Sequence, residues 1–145
     1  MVIIEKQALN PMQIIGEFQV GLDMSKSGAC TQFTGYMRDF NNDDSVTLMT
    51  LEYYPGMTEK ALDSIETEAC KQWPLNAVLI AHRVGDLNPA DPIVVVAAWS
   101  AHRNAAFAAC RFLIEELKHK APFWKKEVTT DGERWVAENS PAELK

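Results

Sequence analysis

Residues 99–127 constrain the fold most, because their pattern predicts one long amphipathic helix that is followed by Pro122 and further basic residues. The apolar residues of this segment recur every three or four positions and form a stripe that must pack against another element: Ala106, Cys110, Leu113 and Leu117. Ser100 is the predicted N-cap, since its hydroxyl can accept an N–H of the first helical turn. Pro122 is predicted to end the helix, because the residue before a proline avoids helical backbone angles.

Positive charge is concentrated at both ends of this predicted helix, although the whole chain carries a net charge of −6. His102 and Arg103 lie in the first turn, where the helix dipole disfavours cations. At the other end, four lysines fall within nine residues that contain no acid: Lys118, Lys120, Lys125 and Lys126. A concentrated basic site in an acidic protein favours a small anionic ligand over a nucleic-acid surface.

The two groups of cations are too far apart to bind one small ligand from the same helix. His102 and Lys118 are 16 positions apart in the chain. On a straight helix with a rise of about 1.5 Å per residue, this separation places them roughly 24 Å apart. Either the two groups serve different purposes, or one site is shared between two copies of the chain.

Strands and helices alternate along the rest of the chain. Apolar or alternating stretches predict strands over five ranges: 2–4, 29–38, 46–54, 77–84 and 93–99. Amphipathic periodicity predicts two further helices: 11–20 and 57–73. The strands at 29–38 and 46–54 are predicted to form a long hairpin across a loose, mobile loop at residues 39–45. After Pro122 the chain is predicted to be extended, and Asp131-Gly132 predicts a closing hairpin.

This order of elements predicts an α+β fold with a largely antiparallel sheet and helices packed against it. One domain, residues 1–145, is expected for a chain of this length, and the polar residues 137–145 are expected to form a flexible tail. The longest apolar run, residues 93–99, is too short to cross a membrane. The N-terminus lacks the pattern of a signal peptide, so a cytoplasmic location is expected.

No motif of this sequence predicts a cofactor or a metal. Glycine-rich phosphate loops, the GxSxG elbow and the HExxH zinc motif are all absent. Cys30, Cys70 and Cys110 show no CxxC spacing, which fits a reducing compartment, and we interpret all three as small buried side chains. The three histidines are too scattered for a zinc site. His82, within an apolar strand, is interpreted as a core or interface residue rather than a catalytic one.

Six stretches carry a resemblance to a known family, in this order along the chain: FTGYMR (33–38), LEYYPGMTEKAL (51–62), HRVGDL (82–87), SAHR (100–103), LKHKAPFWKKE (117–127) and DGERWV (131–136). They resemble the large, catalytic subunit of molybdopterin synthase. LEYYPGMTEKAL and APFWKKE are long enough to be specific. The resemblance extends over most of residues 29–136.

The resemblance implies an α/β hammerhead-type fold and a homodimer. Each copy would bind one small ubiquitin-like subunit, giving a heterotetramer. The C-terminal Gly-Gly of that partner would carry a thiocarboxylate. As a sulfurtransferase, the chain would pass this sulfur to cyclic pyranopterin monophosphate and form the dithiolene of molybdopterin. Neither a bound cofactor or metal nor a nucleic-acid or membrane partner is expected.

The family's motifs also imply roles for particular residues. Its two catalytic lysines correspond to Lys118 and Lys125, which would bind substrate together with Arg38, His102 and Arg103. The pocket for the partner's tail would be formed by five residues: Phe33, Arg38, Lys118, Pro122 and Phe123. Whether Lys118 transfers protons or is only a positive anchor stays open at this point.

Two other functions also stay open. A sulfurtransferase that carries persulfide on a cysteine would use one of the three thiols. A binding module would use the basic cluster as an anion, phosphate or RNA site. The net charge of −6 and an isoelectric point near 5.0 disfavour RNA.

Overall fold

The computed structural model describes residues 1–137, so the predicted flexible tail lies outside the described residues from position 138 onward. This part contains three α-helices, nine strands and one short 3₁₀ helix, Met24–Lys26. The helices are α1 (Pro11–Val20), α2 (Met57–Gln72) and α3 (Arg103–Lys120). The strands are β1 (Val2–Glu5), β2 (Ala29–Tyr36), β3 (Phe40–Asn41), β4 (Asp44–Tyr53), β5 (Leu75–Arg83), β6 (Gly85–Leu87), β7 (Pro92–Ser100), β8 (Phe123–Thr129) and β9 (Gly132–Val136). The predicted α+β class is confirmed.

The first sheet has the strand order β1-β5-β7-β2 and carries the main core. Its β5–β7 and β7–β2 pairs are antiparallel, and the β1–β5 pair is parallel. Helices α2 and α3 pack on one face around Ile80 and Val96, whereas α1 packs on the other face around Leu79 and Trp99. Because helices cover both faces, the central strands β5 and β7 read as continuous apolar runs in the sequence.

The second sheet is antiparallel, with the order β3-β4-β8-β9 and β6 paired to β4. The predicted hairpin between residues 29–38 and 46–54 is therefore wrong. Strand β2 pairs with β7 in the first sheet, while β4 pairs with β8 in the second. The register of β2 shifts between Gly35 and Tyr36, and the N–H of Met37 then donates to the carbonyl of Asp91. The chain thus crosses from one sheet to the other at this point.

A tight turn replaces the loose loop that was predicted at residues 39–45. Strand β3 pairs with the start of β4, and Asn42 and Asp43 form the turn between them with φ angles of 52° and 65°. Asn and Asp tolerate positive φ better than most residues, which explains their presence at these two positions. The short strand β6 was likewise not predicted, because turn residues surround it on both sides.

Helix α3 begins later than predicted and ends where predicted. His102, not Ser100, is its N-cap, because Ser100 is the last residue of β7 and its hydroxyl donates to the carbonyl of Pro74. The helix stops at Lys120, just before the Ala121–Pro122 bond. No helix within residues 1–137 is both long enough and apolar enough to cross a membrane.

Candidate active site

A cavity of about 320 Å³ lies between the two sheets and the last turns of α3. Three of the five predicted substrate-binding residues line it: Arg38, Lys118 and Lys125. Arg38 follows β2, Lys118 is in the last turn of α3, and Lys125 is on β8. Three separate elements therefore bring positive side chains to one place, and their combined charge suits an anionic ligand.

The alternation of β8 decides which lysine enters the cavity. Phe123, Lys125 and Glu127 line it, whereas Trp124 is exposed. Lys126 lies on the outer side with its ammonium 5.9 Å from the ring centroid of Trp135. Successive side chains of a strand point to opposite faces, so the adjacent lysines have different surroundings. This makes Lys126 a matched control for Lys125.

Aromatic side chains form part of the apolar cavity wall. Phe33 and Phe123, which the family resemblance places in the pocket for the partner's tail, both line it. Phe40 lines it too, and the guanidinium carbon of Arg38 lies 4.8 Å from the Phe40 ring centroid. Pro122 is not among the lining residues.

Pro122 has a position beside the cavity rather than on its wall. Its carbonyl accepts a hydrogen bond of 3.1 Å from the hydroxyl of Thr58, which is fully buried in α2. The same hydroxyl accepts the main-chain N–H of Tyr54 at 3.1 Å. Thr58 thereby fixes the backbone that links α3 to β8, and with it the spacing of Lys118 and Lys125.

Lys125 is the lysine whose ionisation the cavity changes. Burial lowers the pKa of Lys125, and the positive charge of Lys118 lowers it further, whereas the carboxylate of Glu127 opposes both effects. A lysine with a lowered pKa loses its proton more readily at neutral pH. Lys125 therefore suits proton transfer as well as anion binding.

A polar network behind the cavity was not predicted from the sequence. Glu127 is buried, and its two oxygens accept hydrogen bonds from Asn41 Nδ2 at 2.8 Å and from Arg134 Nε at 3.2 Å. Arg134 also donates to Asp44 Oδ2 at 2.6 Å and to the carbonyl of Asn41 at 3.0 Å. The network ties the β3–β4 turn to β8 and β9. Buried carboxylates need such partners, and Asn41 and Arg134 supply them to Glu127.

Gly35 gives the cavity part of its width. The register of β2 shifts directly after this glycine, and two side chains lie close to it. A Cβ at position 35 would lie 2.9 Å from Val94 Cγ1 and 3.3 Å from the Phe33 ring. A larger residue would therefore push Phe33 into the space that it borders.

His102 and Arg103 line a different hollow at the other end of α3. Gly28, Ala101 and Asn104 complete that hollow, and the side chains of His102 and Arg103 are exposed there. A Cβ at Gly28 would lie only 2.3 Å from the carbonyl oxygen of Ala101, so glycine is needed for the loop to approach this closely. Within one chain, these two residues are thus not part of the cavity that holds Lys118.

Metal-binding and reactive-thiol chemistry receive little support from residues 1–137. No group of three or more His, Cys, Asp or Glu side chains in this part could hold a metal ion. The prediction that all three cysteines are buried is right for Cys110 but wrong for Cys30 and Cys70, which are exposed on β2 and α2. Desolvation raises the pKa of Cys30 and of Cys70, and it raises the pKa of Cys110 to about 11. Raised values disfavour the nucleophilic thiolate.

Fold and cavity together define a class of protein: an α+β protein whose two sheets and longest helix form one cation-lined, partly aromatic cavity. A family model described as MoaE protein matches residues 4–120. The chain therefore belongs to the MoaE family, the catalytic subunits of molybdopterin synthase, which are enzymes of molybdenum cofactor biosynthesis.

Individual relatives agree with this assignment. The molybdopterin synthase catalytic subunit of Pseudomonas aeruginosa is 57% identical over 109 residues, which cover 75% of this chain and 73% of that protein. The solved structure of the molybdopterin biosynthesis MoaE protein from Burkholderia ambifaria has a TM-score of 0.81 at 44% identity, covering 98% of this chain and 92% of that one. Molybdopterin synthase from Staphylococcus aureus also has a TM-score of 0.81, at 31% identity, with 94% and 96% covered.

Proposed function

We propose that this chain transfers sulfur from the C-terminal thiocarboxylate of a small ubiquitin-like subunit to cyclic pyranopterin monophosphate. The convergence of Arg38, Lys118 and Lys125 on one cavity carries the proposal. The thiocarboxylate and the cyclic phosphate are both anions. Cations fixed before the reaction starts stabilise such groups and any negative charge that develops during transfer.

The partner's tail supplies the sulfur, so the chain itself needs no sulfur-carrying cysteine. A Gly-Gly tail has no side chains, and an extended peptide of this kind is recognised mainly through its main chain. Phe33 and Phe123 border the space that the tail would enter. In each transfer the C–S bond of the tail breaks and sulfur replaces an oxygen on a carbon of the precursor. An oxygen atom, from water or from the precursor, takes the place of sulfur and leaves the tail as a carboxylate. Two such transfers form the dithiolene.

The complete site would be shared between two copies of the chain. His102 and Arg103 lie at the opposite end of α3 from Lys118, and they line a separate hollow. In a two-fold dimer, that end of one protomer can meet the cavity of the other, and symmetry then creates two equivalent sites. With one small subunit on each protomer, the assembly is a heterotetramer.

Arg38→Ala and Lys125→Ala are each expected to weaken binding of the pterin precursor. Loss of one hydrogen bond to a charged group costs about 1.5–3 kcal/mol, which corresponds to roughly a 10- to 150-fold weaker affinity. Isothermal titration calorimetry with cyclic pyranopterin monophosphate measures this loss.

Two cations that do not line the cavity provide matched controls for these variants. Lys126→Ala removes a lysine next to Lys125 that pairs with Glu133 at 3.7 Å, and Arg111→Ala removes an arginine that pairs with Glu115 at 3.1 Å. Both controls should bind the precursor as the wild type does. Wild-type affinity in both Arg38→Ala and Lys125→Ala would contradict the assignment of this cavity.

Replacing all three cysteines by serine is expected to leave sulfur transfer unchanged. None of the three thiols lines the cavity, and each has a raised pKa. Cys110 is buried, so the matching Cys110→Ala version guards against a loss caused by a polar group in the core. A folded triple variant that has lost activity would favour the persulfide mechanism instead.

A further inference from the structure

The cavity offers several hydrogen-bond donors, but a bound peptide tail also requires hydrogen-bond acceptors among the residues that line the cavity. The three cations donate only. A peptide tail, however, presents main-chain N–H groups as well as carbonyl oxygens. Glu127 lines the cavity, but both of its oxygens already accept from Asn41 and Arg134. His82 lines the same cavity and is a neutral acceptor of the required kind.

His82 is held in one orientation by two contacts. Its Nδ1 lies 2.7 Å from the carbonyl oxygen of Arg83, and a carbonyl only accepts, so this nitrogen carries the hydrogen. The imidazole stacks on Phe123 with ring centroids 3.9 Å apart and an interplanar angle of 15°. In a neutral ring with a protonated Nδ1, Nε2 is left as a hydrogen-bond acceptor. The ring is only 4% exposed, so water competes little for that nitrogen.

We propose that His82 is a tail-binding residue, whose Nε2 accepts a hydrogen bond from a main-chain N–H of the partner's Gly-Gly tail. The inference rests on the proposed function and deepens it. A hydrogen-bond acceptor binds the N–H groups of the tail and not its carbonyl oxygens, so His82 would recognise a particular main-chain group. Phe123, on which the ring stacks, borders the same space. The cations would then bind the anionic end of the tail while His82 fixes its register.

The ionisation of His82 supports this role. Burial lowers the pKa of His82 to about 4, with the hydrogen bond to Arg83 opposing that effect and the positive charge of Lys125 adding to it. The ring is therefore neutral at physiological pH and keeps its acceptor. A neutral ring also adds no further positive charge beside Lys125.

A double-mutant cycle between His82 and the tail tests the proposal. The small subunit is prepared by ligation with a Gly-Gly end, or with either glycine replaced by sarcosine, which removes one N–H. Binding of each form is measured by calorimetry to the wild type and to His82→Phe, which keeps a ring for stacking but lacks Nε2. For one sarcosine position, the loss of affinity should be about 2- to 10-fold larger in the wild type than in His82→Phe.

Controls separate this role from a purely structural one. His119→Phe is the matched control, because His119 makes the same kind of bond, from Nδ1 to the carbonyl of Glu115 at 2.6 Å, on the exposed side of α3. In His119→Phe, replacing glycine by sarcosine should lower the affinity for the small subunit as much as it does in the wild type. In His82→Gln, whose amide oxygen reaches the place of Nε2, sarcosine should lower the affinity as in the wild type. In the shorter His82→Asn, this additional loss of affinity should be absent. This pair keeps the test decisive if His82→Phe fails to fold.

If sarcosine lowers affinity equally in the wild type, in His82→Phe and in His82→Asn, at both positions of the tail, the inference is overturned while the proposed function stands. A wild-type protein that does not bind the Gly-Gly subunit would overturn the proposed function, and the inference with it.

Discussion

Lys118→Ala is expected to reduce sulfur transfer by about 10²- to 10³-fold or more, which is the usual effect of removing a group that stabilises charge in a transition state. Lys118 lies in the last turn of α3 and lines the cavity together with Arg38 and Lys125. Its side chain is only partly buried, so its removal should leave the fold intact. Single-turnover assays with thiocarboxylated small subunit measure the rate, and circular dichroism checks the fold.

Two companion variants identify what Lys118 does. Lys120→Ala removes a lysine of the same turn that pairs with Glu116 and Glu68, and it should retain full activity. Lys118→Arg keeps the positive charge but cannot give up a proton at neutral pH. Substantial activity in Lys118→Arg would make the residue an anchor, and its loss would make it a proton-transfer group. Near-normal turnover of a folded Lys118→Ala protein would contradict the site assignment.

Mixing His102→Ala subunits with Lys118→Ala subunits is expected to restore activity that neither variant has alone. In a mixed dimer with shared sites, one site collects both substitutions and the other collects neither. With random exchange about half of the dimers are mixed, so roughly a quarter of all sites should be wild type. If each site lay within one chain, every site would carry a substitution. The recovery would therefore rise from background to about a quarter of wild-type activity.

Subunit exchange must be shown separately, by native mass spectrometry of the mixed sample. Mixing His119→Ala, which should be active alone, with Lys118→Ala gives the reference for simple dilution. No recovery in a sample with confirmed exchange and two inactive parents would refute the shared site.

Local sequence patterns predicted most of the helices and strands correctly. They failed to predict which strands pair when the two strands lie far apart in the sequence. Helix α1 matches its predicted bounds, with the Asn10 side chain accepting the N–H of Gln13 at 3.2 Å as an N-cap should. The hairpin of β2 and β4 was wrong because proximity in sequence favours pairing, whereas β2 pairs with β7, more than 50 positions later in the chain. Nothing in the alternation of β2 itself identifies that partner.

The part of the candidate site that consists of basic residues was predictable, because a cluster of lysines is unusual in a chain with a net negative charge. The lysine cluster and the family's motifs pointed to Lys118, Lys125 and Arg38, which do line one cavity. The Asn41–Glu127–Arg134 network was not predicted, because its members are ordinary polar residues that meet only after β3, β8 and β9 have paired. The stacking of His82 on Phe123 was missed for the same reason.

Sulfur labelling tests the central claim most directly. The small subunit is prepared with isotopically labelled sulfur in its C-terminal thiocarboxylate and incubated with this chain and cyclic pyranopterin monophosphate. Mass spectrometry then locates the label, with a subunit that lacks the terminal Gly-Gly as the control. We predict a product with two labelled sulfurs, a tail left as carboxylate, no label on Cys30, Cys70 or Cys110, and no product from the control. Labelled persulfide on a cysteine, or product formed with the truncated subunit, would contradict the proposed function.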